Sequence, residues 1–364
     1  GATAALGLLE GSLPAGALAA TPAAEGTPAA VSGFTHVRTV GGIEEYVLDS
    51  NGLTVLIKPD HSAPVVSFQV VYRVGSRNEV TGTTGATHLL EHLMFKGSEA
   101  YNDPKGNSVK QYLEAVGASF NATTSADRTN YFATLGKDQL EGYIAIEADR
   151  MRNLWLREED RQAEMTVVRN EFERGENNPG QALYKEVLAT AYVAHPYHHS
   201  TIGWRSDIEN VPIGKLREFY DTFYWPDNAT VTIVGDVEPA AALRLVKKYY
   251  GGIPRSPEPI PQVYTEEPPQ TGPRRVTVKR PGQLGIVLIA YKGPNGLHED
   301  TPALDVLGGI LSNGKNSRLY RALTDKGLVL NTSGGIQSMR DPALFMLSAS
   351  LAPGATHQQV EEAL

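Results

Sequence analysis

His88, Glu91 and His92 stand in the order H-x-x-E-H within the stretch 85–97. On a helix, residues four apart lie one above the other, and a residue three on sits beside them. The order therefore aims two imidazoles at one point, with a carboxylate alongside. Two neutral imidazoles on adjacent turns suit Zn²⁺, which takes nitrogen ligands at about 2.0–2.1 Å. The carboxylate can take a proton from a water on such a metal. The pattern inverts the H-E-x-x-H zinc signature. A His pair at helical spacing is often surface decoration with a solvated Glu beside it. Here Leu89, Leu90, Leu93, Met94 and Phe95 surround the polar triplet. So apolar a helix is expected to be buried, and buried polar groups need partners. A shared metal supplies them better than solvent does.

Two histidines leave a catalytic zinc short of one protein ligand, since such sites use three plus a water. His195, His198 and His199 are candidates, but they fall in a loop with Pro196. Glu164 and Glu171 are stronger candidates. They lie two helical turns apart and so share a face, with Met165, Val168 and Phe172 as apolar neighbours. Glu173 and Glu176 read as a solvated face. Cysteine is absent, which removes disulfides, thiolate ligands and a cysteine nucleophile together.

Regular elements must hold these groups. Glu45–Leu48 and Leu53–Lys58 read as a hairpin about Ser50, Asn51 and Gly52, and Val65–Val74 as a third strand. Glycines at 82 and 85 break the chain before the histidine helix. A helix over 107–116 and strands over 119–124 and 129–135 follow. Helices are expected over 139–155, 157–177, from Pro179 to about Val193, 213–224 and 239–250, with a buried strand over 229–234. Residues 254–273 carry Pro254, Pro257, Pro259, Pro261, Pro268, Pro269 and Pro273, a stiff linker. The plan then restarts, with strands over 275–279 and 285–291 and an apolar helix over 302–311. Leu288–Lys292 precedes this helix much as Val70–Arg73 precedes the histidine helix, so the chain reads as a repeat with metal residues in the first copy alone. The chain stops at Leu364 within a helical pattern, which predicts an incomplete second copy.

Composition narrows the partners. A net charge of −8 without a basic block argues against nucleic acid. No apolar run reaches the roughly 18 residues that span a bilayer. Residues 1–33 are low in charge, and the first basic residue is Arg38. This segment is expected to be the end of an export signal with a low-complexity tether, or simply a disordered tail. An exported, periplasmic location is the reading, with the cytoplasm as the alternative.

The H-x-x-E-H order followed by the Glu164 to Glu171 stretch resembles the pitrilysin–insulinase zinc peptidases, or inverzincins. The β-subunit of mitochondrial processing peptidase belongs there too. The resemblance continues through Asn121, Ala122, Thr123 and Thr124 with Asp127, through His195-Pro196-Tyr197, through Phe223–Ala229 and through Val234–Val237. It covers nearly the whole chain from about residue 40. It implies one Zn²⁺ per chain on His88, His92 and Glu171, with Glu91 as general base. Glu164 is implied as the accessory acidic residue beside the ligands. Ser119, Phe120, Asn121, Ala122 and Thr123 are implied as the edge to which a peptide substrate adds as a strand. The implied activity is a zinc metalloendopeptidase.

The implied fold is α+β: two similar α/β-sandwich domains of the clamshell type, each an antiparallel-rich sheet packed with helices. The expected division is a low-complexity or processed segment at 1–33, a zinc-bearing catalytic domain at 34–253, the linker at 254–273, and a second homologous domain without metal motif at 274–364. One departure stands out. Relatives active alone carry an Arg and then a Tyr in the second domain, near a Gly-Leu step. Here that step is Lys326-Gly327-Leu328, with Thr324 and Leu330 at the expected places. Arg318 and Arg321 are out of register, and no Tyr follows Tyr320. The chain therefore resembles the zinc-bearing half of a two-subunit enzyme, needing a homologous partner that carries the Arg and Tyr. The competing readings are a non-catalytic scaffold of the same fold and a peptide-binding subunit that keeps zinc for structure.

Overall fold

In the stretch Val65–Tyr72 every second side chain, Val66, Phe68, Val70 and Tyr72, is fully buried. That is the two-residue period of a strand with one face on a core. A computed structural model describes residues 28–282 and 285–364; the segment expected at 1–33 lies outside the described residues up to residue 27. The strands of the first unit are β1 (Phe34–Val40), β2 (Ile43–Leu48), β3 (Thr54–Pro59), β4 (Val65–Tyr72), β5 (Ser119–Thr124), β6 (Thr129–Gly136) and β7 (Ala229–Gly235). They form one seven-stranded sheet in the order β1-β2-β3-β7-β4-β6-β5. Only the β3–β7 pair is parallel. Strand β5 therefore lies at an edge and pairs with β6 alone. Strand β1 was not foreseen in the sequence; its exposed Val37 and Val40 spoil the alternation that marks a half-buried strand.

The helices are α1 (Ala86–Leu93), α2 (Val109–Ala115), α3 (Leu140–Arg152), α4 (Glu158–Glu176), α5 (Pro179–Ala191), α6 (Arg205–Asn210), α7 (Ile213–Phe223) and α8 (Pro239–Tyr250). Helix α1 packs against α4 and α7 and against β5. This places the metal-motif helix between the long acidic helix and the sheet edge. The 254–273 stretch holds neither helix nor strand.

The second unit repeats part of this plan. It has β8 (Ile286–Lys292), α9 (Thr301–Ser312), β9 (Val329–Ile336), β10 (Leu344–Leu351) and α10 (His357–Ala363). Its sheet order is β8-β10-β9. In the first unit a strand (β4), a helix (α1) and a hairpin (β5, β6) give the order β4-β6-β5. The second unit does the same with β8, α9 and the β9–β10 hairpin. The strand expected over 275–279 does not form. Arg275 pairs with Glu361 instead, the following Arg280 pairs with Glu176, and the preceding Arg274 donates to the carbonyls of Thr190 and Ala191. These contacts tether the segment to helices and leave it no ladder.

Under the sheet, Glu147 and Arg150 of α3 form a fully buried ion pair, with Arg150 Nε 2.9 Å from Glu147 Oε2. The guanidinium also lies 4.4 Å from the Tyr131 ring centre. Removing one member strands the other charge in the core. Glu147→Ala is expected to cost about 3–5 kcal/mol. Urea unfolding measures it; a loss below about 1 kcal/mol would mean that water reaches Arg150.

Candidate metal centre

Gly85 starts α1 in the left-handed region, at φ +84°. A Cβ there would meet the Ile202 carbonyl oxygen at 2.5 Å, so both conformation and space call for glycine. The first helical N–H groups then need acceptors. The fully buried Glu79 carboxylate supplies them, accepting from Gly85 N at 2.8 Å and Thr87 N at 2.7 Å. Burial pushes the Glu79 carboxyl up to about 8, against the opposing pull of those hydrogen bonds. Ala86, Thr87, Leu89, Leu90 and Leu93 are buried, which turns His88, Glu91 and His92 together onto the remaining face.

On α4, Val168 and Phe172 face the core, and this rotation points Glu164 and Glu171 at α1. His88 Nε2 lies 3.5 Å and His92 Nε2 3.7 Å from Glu171 Oε2. His88, His92 and Glu171 each offer one ligand atom, all within 4.8 Å of one another. Ligands about 2.0–2.1 Å from a tetrahedral ion stand roughly 3.3–3.4 Å apart. The observed separations are long for hydrogen bonds and suit donors arranged around one ion. The donor set of two imidazoles and a carboxylate fits zinc. No other such cluster occurs among the described residues.

The surrounding groups tune these donors. His92 Nδ1 lies 2.9 Å from Glu164 Oε2, and Lys96 Nζ lies 2.5 Å from the other Glu164 oxygen. Burial alone would raise the Glu164 carboxyl, but the hydrogen bonds from His92 and Lys96 outweigh it and bring the group down to about 2. The ionised Glu164 assigns the His92 proton to Nδ1 and frees Nε2 toward Glu171. Burial lowers His92, yet its bond to Glu164 and the nearby Glu171 and Glu91 leave it raised. His88 is pushed down to about 4, by burial first and then by His92 beside it. It is a neutral donor at pH 7, and its Nδ1 is buried without a hydrogen-bond partner. Glu91 is raised by burial and by Glu171, against the hydroxyl of Thr124, which donates to Oε2, and against His92. Glu164→Ala is expected to weaken zinc affinity by about 10–100-fold. Competition with a chromogenic chelator measures this; unchanged affinity would reduce Glu164 to a partner of Lys96.

His195, His198 and His199 do not join the cluster. His195 contacts Asp341, and His199 sits 3.8 Å from Glu79. Ser119, Phe120, Asn121, Ala122 and Thr123 lie on β5, whose outer edge carries no strand among the described residues. Two neighbours of the site were not foreseen in the sequence. Thr124 binds Glu91, and strand alternation from the buried Ala122 puts it on that face. Glu79 anchors α1, and an acid just before a helix start carries that signal. A cavity of about 570 Å³ opens beside Glu171, lined also by Thr124, Phe172, Tyr184, Tyr197 and Met339.

Comparison with known proteins follows the two halves. Residues 54–204 match the model described as Insulinase (Peptidase family M16), and residues 210–364 match the Peptidase M16 inactive domain. The chain is 34% identical to the zinc protease PqqE of Helicobacter pylori over 332 residues, covering 90% of this chain and 74% of that protein. It is 28% identical over 210 residues to a probable mitochondrial-processing peptidase subunit beta of Schizosaccharomyces pombe, covering 58% of this chain and 45% of that one. The crystal structure of a protease from Helicobacter pylori superposes with a TM-score of 0.83 at 34% identity, covering 88% of this chain and 77% of that one.

Proposed function

The chain belongs to the insulinase family of peptidases (family M16), and from that premise we propose that it hydrolyses peptides with one zinc held by His88, His92 and Glu171. The observation that carries this is the convergence of those three donors beside Glu91, a carboxylate outside the donor set. Zinc, when bound, polarises a carbonyl and acidifies a coordinated water. Thr124 holds one Glu91 oxygen, which leaves the other to take a proton from the attacking water. A pKa raised by burial suits that carboxylate to carry the proton and return it to the departing amine. Glu164 keeps His92 turned and in one tautomer. The outer edge of β5 offers unpaired backbone donors and acceptors to an extended peptide, which fixes the scissile bond in register.

We further propose the division into a metal-bearing unit over 34–253 and a second unit over 274–364, joined by 254–273. The second unit lacks the Arg and Tyr expected near Gly327-Leu328, so a homologous partner subunit supplies those donors. Turnover of an unstructured peptide of a few tens of residues tests this. The isolated chain is expected to be nearly inactive and to recover when mixed with such a subunit. Full activity of the chain alone would refute the need for a partner.

A further inference from the structure

Asp127, His195 and Tyr197 take no part in the chemistry above. They meet Arg77 and Asp341 in a cluster between the two units. Arg77 is 6% exposed, and its Nη2 lies 2.6 Å from Asp341 Oδ2 while its Nε lies 3.7 Å from Asp127 Oδ1. His195 Nε2 is 3.0 Å from the same Asp341 oxygen. The Tyr197 hydroxyl donates to Asp127 Oδ1 at 2.6 Å and accepts from the Asp341 N–H at 3.1 Å. The Arg340 N–H donates to Asp127 Oδ2 at 3.0 Å.

The backbone joins in. Ser76 and Arg77 N–H groups donate to the carbonyls of Ser125 and Ala126, at 3.1 and 2.9 Å. Gly75 makes this approach possible, since a Cβ there would lie 2.4 Å from both carbonyl oxygens. Residues 125–128 are the turn between β5 and β6, and Arg340 and Asp341 belong to the connection between β9 and β10. The hairpin of the second unit is thus tied to the turn of the edge strand. Thr124, the last residue of β5, is the residue that holds Glu91.

A strand paired on one side only takes its position from its neighbour and its turn. The cluster is built on the buried Arg77, His195 and Tyr197, with Asp127 and Asp341 half-buried, and a contact broken there strands a buried polar group, which makes it stiff. Strand addition needs the host edge already ordered and in register, or the peptide must supply the ordering free energy on binding. The metal-bearing helices have anchors of their own in Glu79 and Glu164.

We propose that Arg77, Asp127, Tyr197 and Asp341 form a latch that uses the second unit to hold the peptide-accepting edge of β5, making Tyr197 and Asp341 positioning residues for substrate binding. This rests on the peptidase reading. The test compares Tyr197→Phe and Asp341→Asn with the wild-type full-length chain, mixed with a homologous partner subunit. Three readouts are taken: kcat and KM on the same unstructured peptide, zinc content, and amide hydrogen exchange. The latch predicts a KM raised about tenfold with a smaller fall in kcat, which arises through Thr124 at the end of the loosened strand. It also predicts full zinc content, faster exchange over residues 119–128 and unchanged exchange in α1. Tyr197→Phe keeps the ring and every charge, so it reports even where Asp341→Asn fails to fold. Exchange over 119–128 that stays at the wild-type rate in a folded variant overturns the proposal, as does a loss confined to kcat or zinc. Where exchange responds but the wild-type mixture cleaves nothing, the latch stands and the peptidase reading falls.

Discussion

Glu91→Gln is expected to keep zinc at the wild-type level and to lower peptide turnover by about 10²-fold or more. Gln matches Glu in size and still accepts the Thr124 hydroxyl through its amide oxygen, but it cannot take up a proton. Glu91 lies outside the group of ligand atoms that converge from His88, His92 and Glu171. Its replacement therefore leaves the donors in place and removes the proton acceptor alone. Zinc analysis after gel filtration and a turnover assay on one preparation separate the two effects. Loss of zinc together with activity would make Glu91 a ligand or a support of one.

His92→Ala is expected to lose the metal altogether. Its Nε2 is one of three donors facing a common point, and two protein ligands rarely hold a catalytic zinc. The change also deprives Glu164 of one of its two partners and leaves Lys96 as the other. Activity should fall to background with the metal. Zinc per chain, determined by elemental analysis, reads the outcome; stoichiometric zinc in the folded variant would contradict the assignment.

The residues that converge were readable because helical periodicity is local. His88 and His92 four apart, and Glu164 and Glu171 two turns apart, need only a helix to share a face, and α1 and α4 are those helices. The sequence could not say that α1 and α4 pack side by side, which is a tertiary fact. The hairpin of β2 and β3 followed from the turn at Ser50, Asn51 and Gly52, and β4 from apolar alternation, whereas β1 lacks both signals. Residues 275–279 carry a strand-like pattern, but Arg275 is spent on Glu361, and the flanking Arg274 and Arg280 on α5 carbonyls and Glu176. The cluster of Arg77, Tyr197 and Asp341 depends on loops that meet across large sequence separations. No periodicity announces such contacts.

The zinc dependence of turnover decides whether His88, His92 and Glu171 hold a catalytic metal. The chain, with a homologous partner subunit, is stripped of metal by a chelator, dialysed and then titrated with zinc while cleavage of an unstructured peptide is followed. Cleavage is expected to fall to background in the stripped protein and to return in full at about one zinc per chain. Cleavage that persists undiminished in protein shown to be free of metal would contradict it.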